Sequence, residues 1–189
     1  MPLTGAASPL GIPNFGGADR PALDLSPGML DVIASIDTLL QAAGLSTASK
    51  VRPAARAELS AAQSIANNTN VALSYGSTVY DTEGMWAAGQ PTRLTCKIAG
   101  TYLIVANAMW TPAAGGASRQ LVLEVNAATI IGRSIMPASS AFNQFCIAVS
   151  IWKLAVNDYV EAYAFQDSGA ALNVLYDPHD SAFLSAVRL

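Results

Sequence analysis

Residues that could do acid–base chemistry or hold a metal are few in this chain. His179 is the one histidine, so a Ser-His-Asp or Cys-His catalytic group has a single available base. It stands in Asp177-Pro178-His179-Asp180, and Asp followed by Pro is typical of a turn. The oxygen and nitrogen atoms of Asp177, His179 and Asp180 could instead hold a metal ion. We favour the turn and predict no metal site.

The carboxylates show no catalytic pairing along the sequence. The glutamates are spread over different predicted strands or loops, without a spacing that would single out a glycosidase dyad; they are Glu58, Glu83, Glu124 and Glu161. We interpret them as solvated residues or interface pairs. Phosphate-binding loops, dinucleotide-binding glycine motifs, serine nucleophile motifs and zinc-protease motifs do not occur in the sequence. The sequence therefore predicts a non-enzymatic protein with no catalytic residues and no cofactor.

The composition requires that much apolar surface be covered. Hydrophobic residues make up 52% of the chain and charged residues only 12%, about half the usual charged share. The richest apolar stretch, residues 145–156, is interrupted by Ser150 and Lys153, so no run is long enough for a membrane span. We therefore expect burial between subunits and no membrane insertion. The net charge of −3, without a basic block, argues against a nucleic-acid partner.

The start of the chain and the cysteines bear on where the protein is made. The N-terminus has neither the basic start nor the continuous apolar segment of a secretory signal, so we expect synthesis and assembly in a cytoplasm. Cys96 and Cys146 lie in apolar, strand-like contexts without CxxC spacing. Buried free thiols are favoured over a disulfide or a metal pair.

Residues 1–25 are rich in Pro, Gly and Ala and lack helical or strand periodicity, so they cannot form a core of their own. They still carry apolar side chains that could order against another surface. We predict that this segment is a docking arm, and its candidate docking residues are Leu10, Ile12, Phe15 and Leu23.

A short helix is predicted over residues 26–43. Ser26-Pro27 is a strong helix start, and Gly44 supplies the stop. Apolar residues at a 4-3-4 spacing form one stripe, the helix seam, made of Met29, Ile33, Ile36 and Leu40. Isoleucine at both central positions fits a three-stranded bundle and hence a trimeric stalk. A single helix packed on its own domain remains the alternative, because two heptads are too few to identify a coiled coil.

Residues 44–53 are predicted to be a linker, and residues 54–189 a head made of short strands. Turn signals separate nearly all of the strand candidates, as expected of an all-β sandwich. The candidates are residues 57–65, 71–75, 93–98, 101–110, 119–126, 129–136, 142–154, 159–166, 171–176 and 182–189.

Some of these strands are apolar on both faces. In one alternating strand, Leu121, Leu123 and Val125 share a side. Residues 103–106 and 146–151, in contrast, offer apolar side chains to both sides. A strand buried on both faces of a sandwich needs cover from outside it. The sequence therefore predicts an obligate oligomer.

Residues 64–189 resemble the tumour-necrosis-factor-like and complement-globular-head-like jelly rolls, especially the versions in tailed-phage virion proteins. The resemblance is carried by SIANNTNVALSYGSTVYDTEGMW, RLTCKIAGTYLIVANAMWT, RQLVLEVN, LAVNDYVEAYAFQDSGAALNV and SAFLSAVRL. Asn157 stands where that family usually has glycine, and asparagine tolerates the same positive φ. The resemblance implies an antiparallel two-sheet jelly roll that forms a tight homotrimer, with aromatic residues near the threefold axis.

The resemblance also suggests which residues lie at the interface between subunits. The candidates are Tyr102, Ile104, Tyr159, Tyr163, Phe165 and Phe183. On this basis Tyr163→Asp would disrupt the trimer by placing a charge in the inter-subunit core. Arg119 and Arg133 could pair across subunits. Trp86 and Trp110 are expected to fill the core or the interface rather than to form an exposed recognition surface.

The N-terminal segment LGIPNFGGADRPALDLSPGMLDVIASIDTLL is similar to the opening of actinobacterial phage virion proteins, tail components in particular. This resemblance implies a virion location. The expected partners are other copies of the chain, other virion proteins through the arm, and a host-surface glycan or protein at the head. The expected function is a trimeric fibre tip or spike. A purely structural capsid or tail decoration is the alternative, and a glycan-active enzyme is the less favoured one.

Overall fold

The structure is a computed structural model that describes residues 31, 32, 34–36, 38, 39 and 52–189. The chain divides into two units, Met1–Lys50 and Val51–Leu189. The described residues of the first unit are helical, and Ile36, the one seam residue among them, is half exposed. The other seam residues, the docking residues of the arm and most of the linker lie outside the described residues; they include Met29, Ile33 and Leu40, and Leu10, Ile12, Phe15 and Leu23.

The second unit, the head, consists of antiparallel strands in two sheets. The strands are β1 Ala54–Glu58, β2 Gln63–Ile65, β3 Val71–Ala72, β4 Ser77–Asp81, β5 Arg93–Thr95, β6 Gly100–Trp110, β7 Ala113–Val125, β8 Thr129–Ser139, β9 Gln144–Leu154, β10 Tyr159–Gln166, β11 Leu172–Val174 and β12 Phe183–Arg188.

The first sheet has the order β9-β6-β12-β1-β4, and β11 and β2 extend it beyond one end of β12 and β1. The second sheet has the order β8-β7-β10, with β3 and β5 both paired to the outer edge of β10. The chain passes from β6 in the first sheet to β7 and β8 in the second, returns to β9, and crosses again to β10. The head is therefore a sandwich in which the chain crosses repeatedly between the two layers.

The core lies between the sheets and follows the period of two expected of strands. From the second sheet, Leu121, Leu123 and Val125 point inward and are buried, as their alternation predicted. The first sheet contributes large side chains such as Trp110 and many alanines, among them Ala106. Both cysteines are free and buried, which confirms their prediction.

The observed strands differ from the predicted ones where local pattern gives little information. Residues 159–166 form β10 residue for residue, whereas the continuous strand predicted over residues 57–65 is broken between β1 and β2. Leu59 N–H still follows the register of β1 and β12, since it donates to Ala182 O at 2.9 Å, and the break lies in residues 60–62. Strand β4 was not predicted, because it is a short and exposed edge strand. Asn157 has φ of 72°, which confirms the tolerance predicted for it.

Among the described residues, no helix has both the length and the apolar character that crossing a bilayer requires.

Candidate subunit interface

Strand β9 presents an apolar side to solvent. Its even-numbered residues Cys146 and Ala148 point into the core, so the odd-numbered residues point outward. Four of these outward side chains are large and apolar, and they are 41–62% exposed: Phe145, Ile147, Val149 and Ile151. A period of two with apolar residues on both sides leaves one side that residues 52–189 do not cover.

The uncovered side continues across the first sheet. In the register of β6 and β9, Leu103 lies beside Ile151 and Val105 beside Val149. Leu103 and Val105 are half-buried. We name this surface the apolar face and define it by Leu103, Val105, Phe145, Ile147, Val149 and Ile151. Contiguous exposed apolar surface of this kind marks an interaction site.

Polar groups border the apolar face on the β1 and β4 side. Arg56 Nε donates to Glu58 Oε1 at 2.7 Å, and the Arg56 guanidinium lies 3.8 Å from the centre of the Phe183 ring. Next to this pair, Tyr80 Oη and Ser185 Oγ are 3.2 Å apart. An apolar centre with a polar rim is the usual composition of a protein–protein interface.

The outward face of the second sheet has a different composition. There the register of β10 and β7 sets Glu161 beside Glu124, and Tyr163 beside Val122. Spacing along the chain singled out no pair of glutamates, whereas the antiparallel register sets these two, 37 positions apart, beside each other.

Glu161 is fixed by two hydroxyl groups. Its Oε1 accepts a hydrogen bond from Thr92 Oγ1 at 2.5 Å, and its Oε2 accepts one from Tyr163 Oη at 2.8 Å. The pKa of Tyr163 is raised by burial first, and next by its bond to the Glu161 carboxylate. Tyr163 therefore stays a neutral donor that holds Glu161 in place.

A third polar cluster fastens the start of β7 to the turn after β10. The buried Arg119 guanidinium donates to the carbonyls of Ala113, Gly115 and Ser118 at 2.9–3.0 Å. Asp167 lies 3.7 Å from Arg119. The pKa of Asp167 is lowered chiefly by the backbone N–H groups of Ser118 and Ala117.

This cluster corrects the expectation that Arg119 pairs across subunits. Arg119 has no exposed surface, and its partners belong to the same head. Arg133 is exposed on β8.

No family model and no curated protein matches the chain. Solved structures do. Murine APRIL at pH 5.0 superposes with a TM-score of 0.55 at 16% identity, over 73% of this chain and 99% of that one. Eiger TNF from S. frugiperda superposes with a TM-score of 0.56 at 13% identity, over 73% of this chain and 94% of that one. The globular domain of zebrafish complement 1qA superposes with a TM-score of 0.54 at 15% identity, over 73% of this chain and 97% of that one.

The head is a tumour-necrosis-factor-like jelly roll. The predicted fold class, an all-β antiparallel two-sheet jelly roll, is confirmed by this likeness together with the two observed sheets. None of the three structures is named as an enzyme.

The jelly roll separates the six residues predicted to lie at the interface. Tyr102 and Ile104 are fully buried between the sheets of one chain, because even-numbered residues of β6 point inward. They have no surface to offer another subunit, which corrects that part of the prediction. Tyr159, Tyr163 and Phe165 lie half-buried on the outward face of the second sheet. Phe183 alone lies on the face that carries β9 and β6, where it packs under Arg56.

The residues of β9 that dominate the apolar face were not singled out from the sequence. The signal was present, since residues 146–151 were recognised as apolar on both sides. Which side turns toward the core depends on the pairing of β9 with β6, and a single strand does not encode that pairing.

The remaining predicted positions have structural surroundings. Residues 178–180 form a turn in which His179 N–H donates to Asp177 Oδ1 at 2.8 Å and so lowers the pKa of that carboxyl. In the part of the jelly roll that the structure describes, no three metal-binding side chains come together. Trp110 is buried in the core, as expected. Trp86 is partly buried against the core cluster, and its Nε1–H donates to Pro91 O at 3.2 Å.

Proposed function

We propose that this chain is a homotrimeric structural and binding protein of a tailed-phage virion. Its N-terminal part docks on the particle, and its jelly-roll head projects as a fibre tip or spike that binds the host surface. A decoration protein of the capsid or tail without a receptor is the second candidate. Neither role requires catalysis.

The apolar face is the observation that supports assembly. Its side chains on β9 are 41–62% exposed in the single chain, and covering them with another copy removes that surface from water. A contact between different surfaces of identical subunits closes into a ring when the rotation fits. The family resemblance of the sequence favours three subunits over two.

The N-terminal sequence supports the virion location. Residues 10–40 are similar to the openings of phage tail components, and they precede a head whose fold suits display. The proposed docking residues Leu10, Ile12, Phe15 and Leu23 are apolar positions in a segment otherwise rich in Gly, Ala and Pro. Apolar side chains in such a segment can be buried on a partner surface.

Ile147→Asp is predicted to turn the trimer into a folded monomer. Ile147 is 57% exposed in the single chain, so aspartate is tolerated there by the isolated head. Burying an unpaired neutral polar group costs roughly 2–7 kcal/mol, and burying the unpaired aspartate charge at the interface costs more than that in every copy of the chain. The measurement is the mass of the full chain by sedimentation, with far-UV circular dichroism to verify folding.

Val156→Asp is the matched control, because Val156 is 53% exposed in the turn between β9 and β10. It should keep the mass of the unaltered protein. If Ile147→Asp also keeps that mass, the apolar face does not hold the subunits together.

Antibodies against the head are predicted to label purified phage particles at their tails in immunogold electron microscopy. Purified head should then compete with particles for adsorption to host cells if it binds a receptor, and should leave adsorption unchanged if it is a decoration. Particles that carry no label anywhere would refute the virion role.

A further inference from the structure

The outward face of the second sheet carries a shallow depression of about 170 Å³. It lies over three paired strands, where Phe165 is beside Gln120 and Val122 is beside Arg133. We define the depression by Asn70, Gln120, Val122, Glu124, Arg133 and Phe165. It is on the other sheet from the apolar face.

The charges of the depression balance. Glu124 and Arg133 both line it. The salt bridges among residues 52–189 join Arg56 to Glu58, Arg119 to Asp167 and His179 to Asp177, so neither side chain takes part in one. One anion and one cation, both available, complement a ligand that has no net charge and offers hydrogen-bond donors and acceptors.

The other lining groups narrow the class of ligand. Asn70 and Gln120 carry amides that both donate and accept, while Val122 and Phe165 give the depression an apolar floor. A sugar ring has the same division, with hydroxyl groups around its edge and C–H groups on its face. We propose that this depression binds one unit of a neutral saccharide, an inference that rests on the proposed host-binding role of the head.

Glu124 supplies an independent reason to expect a ligand. It lies in register beside Glu161, and like charges directly opposite one another on a sheet are destabilising. Glu161 is held by the hydroxyls of Thr92 and Tyr163, whereas no hydrogen bond to the Glu124 carboxylate is formed by residues 52–189. A carboxylate on the outward face of a sheet that receives no hydrogen bond from residues 52–189 can accept hydroxyl donors from a ligand.

The small volume of the depression limits its affinity for a ligand. At about 170 Å³ it is smaller than pockets that enclose drug-sized ligands, which start at about 300 Å³. Each site should therefore bind weakly, and three copies on one trimer would gain strength through avidity. A clustered display of saccharide is the appropriate probe.

The test applies the full chain to an array of defined oligosaccharides, with neutral members beside carboxylated and sulfated ones. The chain should bind at least one neutral oligosaccharide. Titration of that oligosaccharide in solution should show about tenfold weaker binding by Glu124→Gln, which loses charge-assisted hydrogen bonds. Glu83→Gln, the same change in a loop after β4, should bind as the unaltered protein does. Glu124→Gln should also unfold at an equal or higher temperature.

Light scattering on the same samples separates two failures. A trimer that binds no neutral saccharide, or that binds only acidic ones, overturns the inference and leaves the assembly proposal intact. Binding that is unchanged in Glu124→Gln overturns the assignment of the site. Release of reducing ends by the unaltered chain, lost in Glu124→Gln, would replace binding with hydrolysis. A monomeric chain that binds a neutral saccharide supports the site and refutes the trimer.

Discussion

Asp158 connects two turns at one end of the head. Asn126 Nδ2 donates to Asp158 Oδ1 at 2.8 Å, and Ala155 N–H donates to Asp158 Oδ2 at 2.7 Å. Asn126 in turn accepts a hydrogen bond from Tyr159 N–H at 3.0 Å. These bonds lower the pKa of Asp158 below its ordinary value, the Asn126 amide contributing most and the Ala155 N–H second. The ionised carboxylate is thus the form that the fold binds.

This lowered pKa predicts a stability loss in acid. Between the lowered pKa and the ordinary value near 4, the folded chain holds fewer protons than the unfolded chain, so stability rises with pH. The contribution is present above about pH 4 and is lost as pH falls through the pKa of the folded state. Asp158→Asn should lower the unfolding temperature at pH 7 and flatten its fall below pH 5, measured at one protein concentration.

Asp180→Asn is the control, since Asp180 lies exposed in the turn at residues 178–180. It should keep the acid profile of the unaltered head. An unchanged profile in Asp158→Asn would show that the two hydrogen bonds carry no stability.

At the residue scale, prediction from sequence succeeded where the reason was local. The positive φ of Asn157 follows from the conformational tolerance of asparagine at a turn, and the burial of Cys146 follows from its apolar strand. Burial also raises the pKa of the Cys146 thiol to about 11. The buried position of Arg119 was not predicted, because its partners are carbonyls of its own strand and a carboxylate 48 positions away.

Among the elements, β7 depends on a close approach near its start. Gly116 has φ of 80°, and a Cβ at this position would overlap the Asp167 carbonyl and carboxylate oxygens. The same segment donates the N–H groups of Ala117 and Ser118 to Asp167 Oδ1, both at 2.9 Å. Glycine here allows the start of β7 to lie directly on the turn after β10.

Gly116→Ala is predicted to destabilise the head by about 3 kcal/mol or more, because backbone strain and overlap with backbone atoms act together. Gly84→Ala is the matched control. Gly84 also has positive φ, at 65°, but an added Cβ there has nothing within 4 Å. It should cost only the strain, about 1 kcal/mol. Urea unfolding measures both, and equal losses would show that the contact with Asp167 is unimportant.

Strands were predictable to the degree that their side chains alternate or their turns are marked. Strand β10 has both signals and was predicted at its observed bounds, whereas β4 is short, exposed and paired only with β1. The pairing of strands was not predictable from local pattern. That pairing sets Glu124 beside Glu161 and turns Ile147 outward, so both proposed sites depend on it.

On the scale of the whole molecule, few charges and much apolar sequence led to the expectation of an oligomer. The structure shows where apolar surface remains to be covered, since Ile147, Val149 and Ile151 are each more than half exposed on one sheet. The sequence indicated the amount of apolar surface and the strands that carry it. Tyr102 and Ile104, two of the six interface residues inferred from family resemblance, are buried in the core, because residue type does not reveal which side of a strand faces the other sheet.

The mass of the full 189-residue chain in solution, measured by sedimentation equilibrium at micromolar concentration, tests the proposed assembly. Covering of the apolar face by like copies predicts three times the chain mass of 19.6 kDa. A folded species with the mass of one chain, in which Ile147 and its neighbours on β9 stay exposed to water, would contradict it.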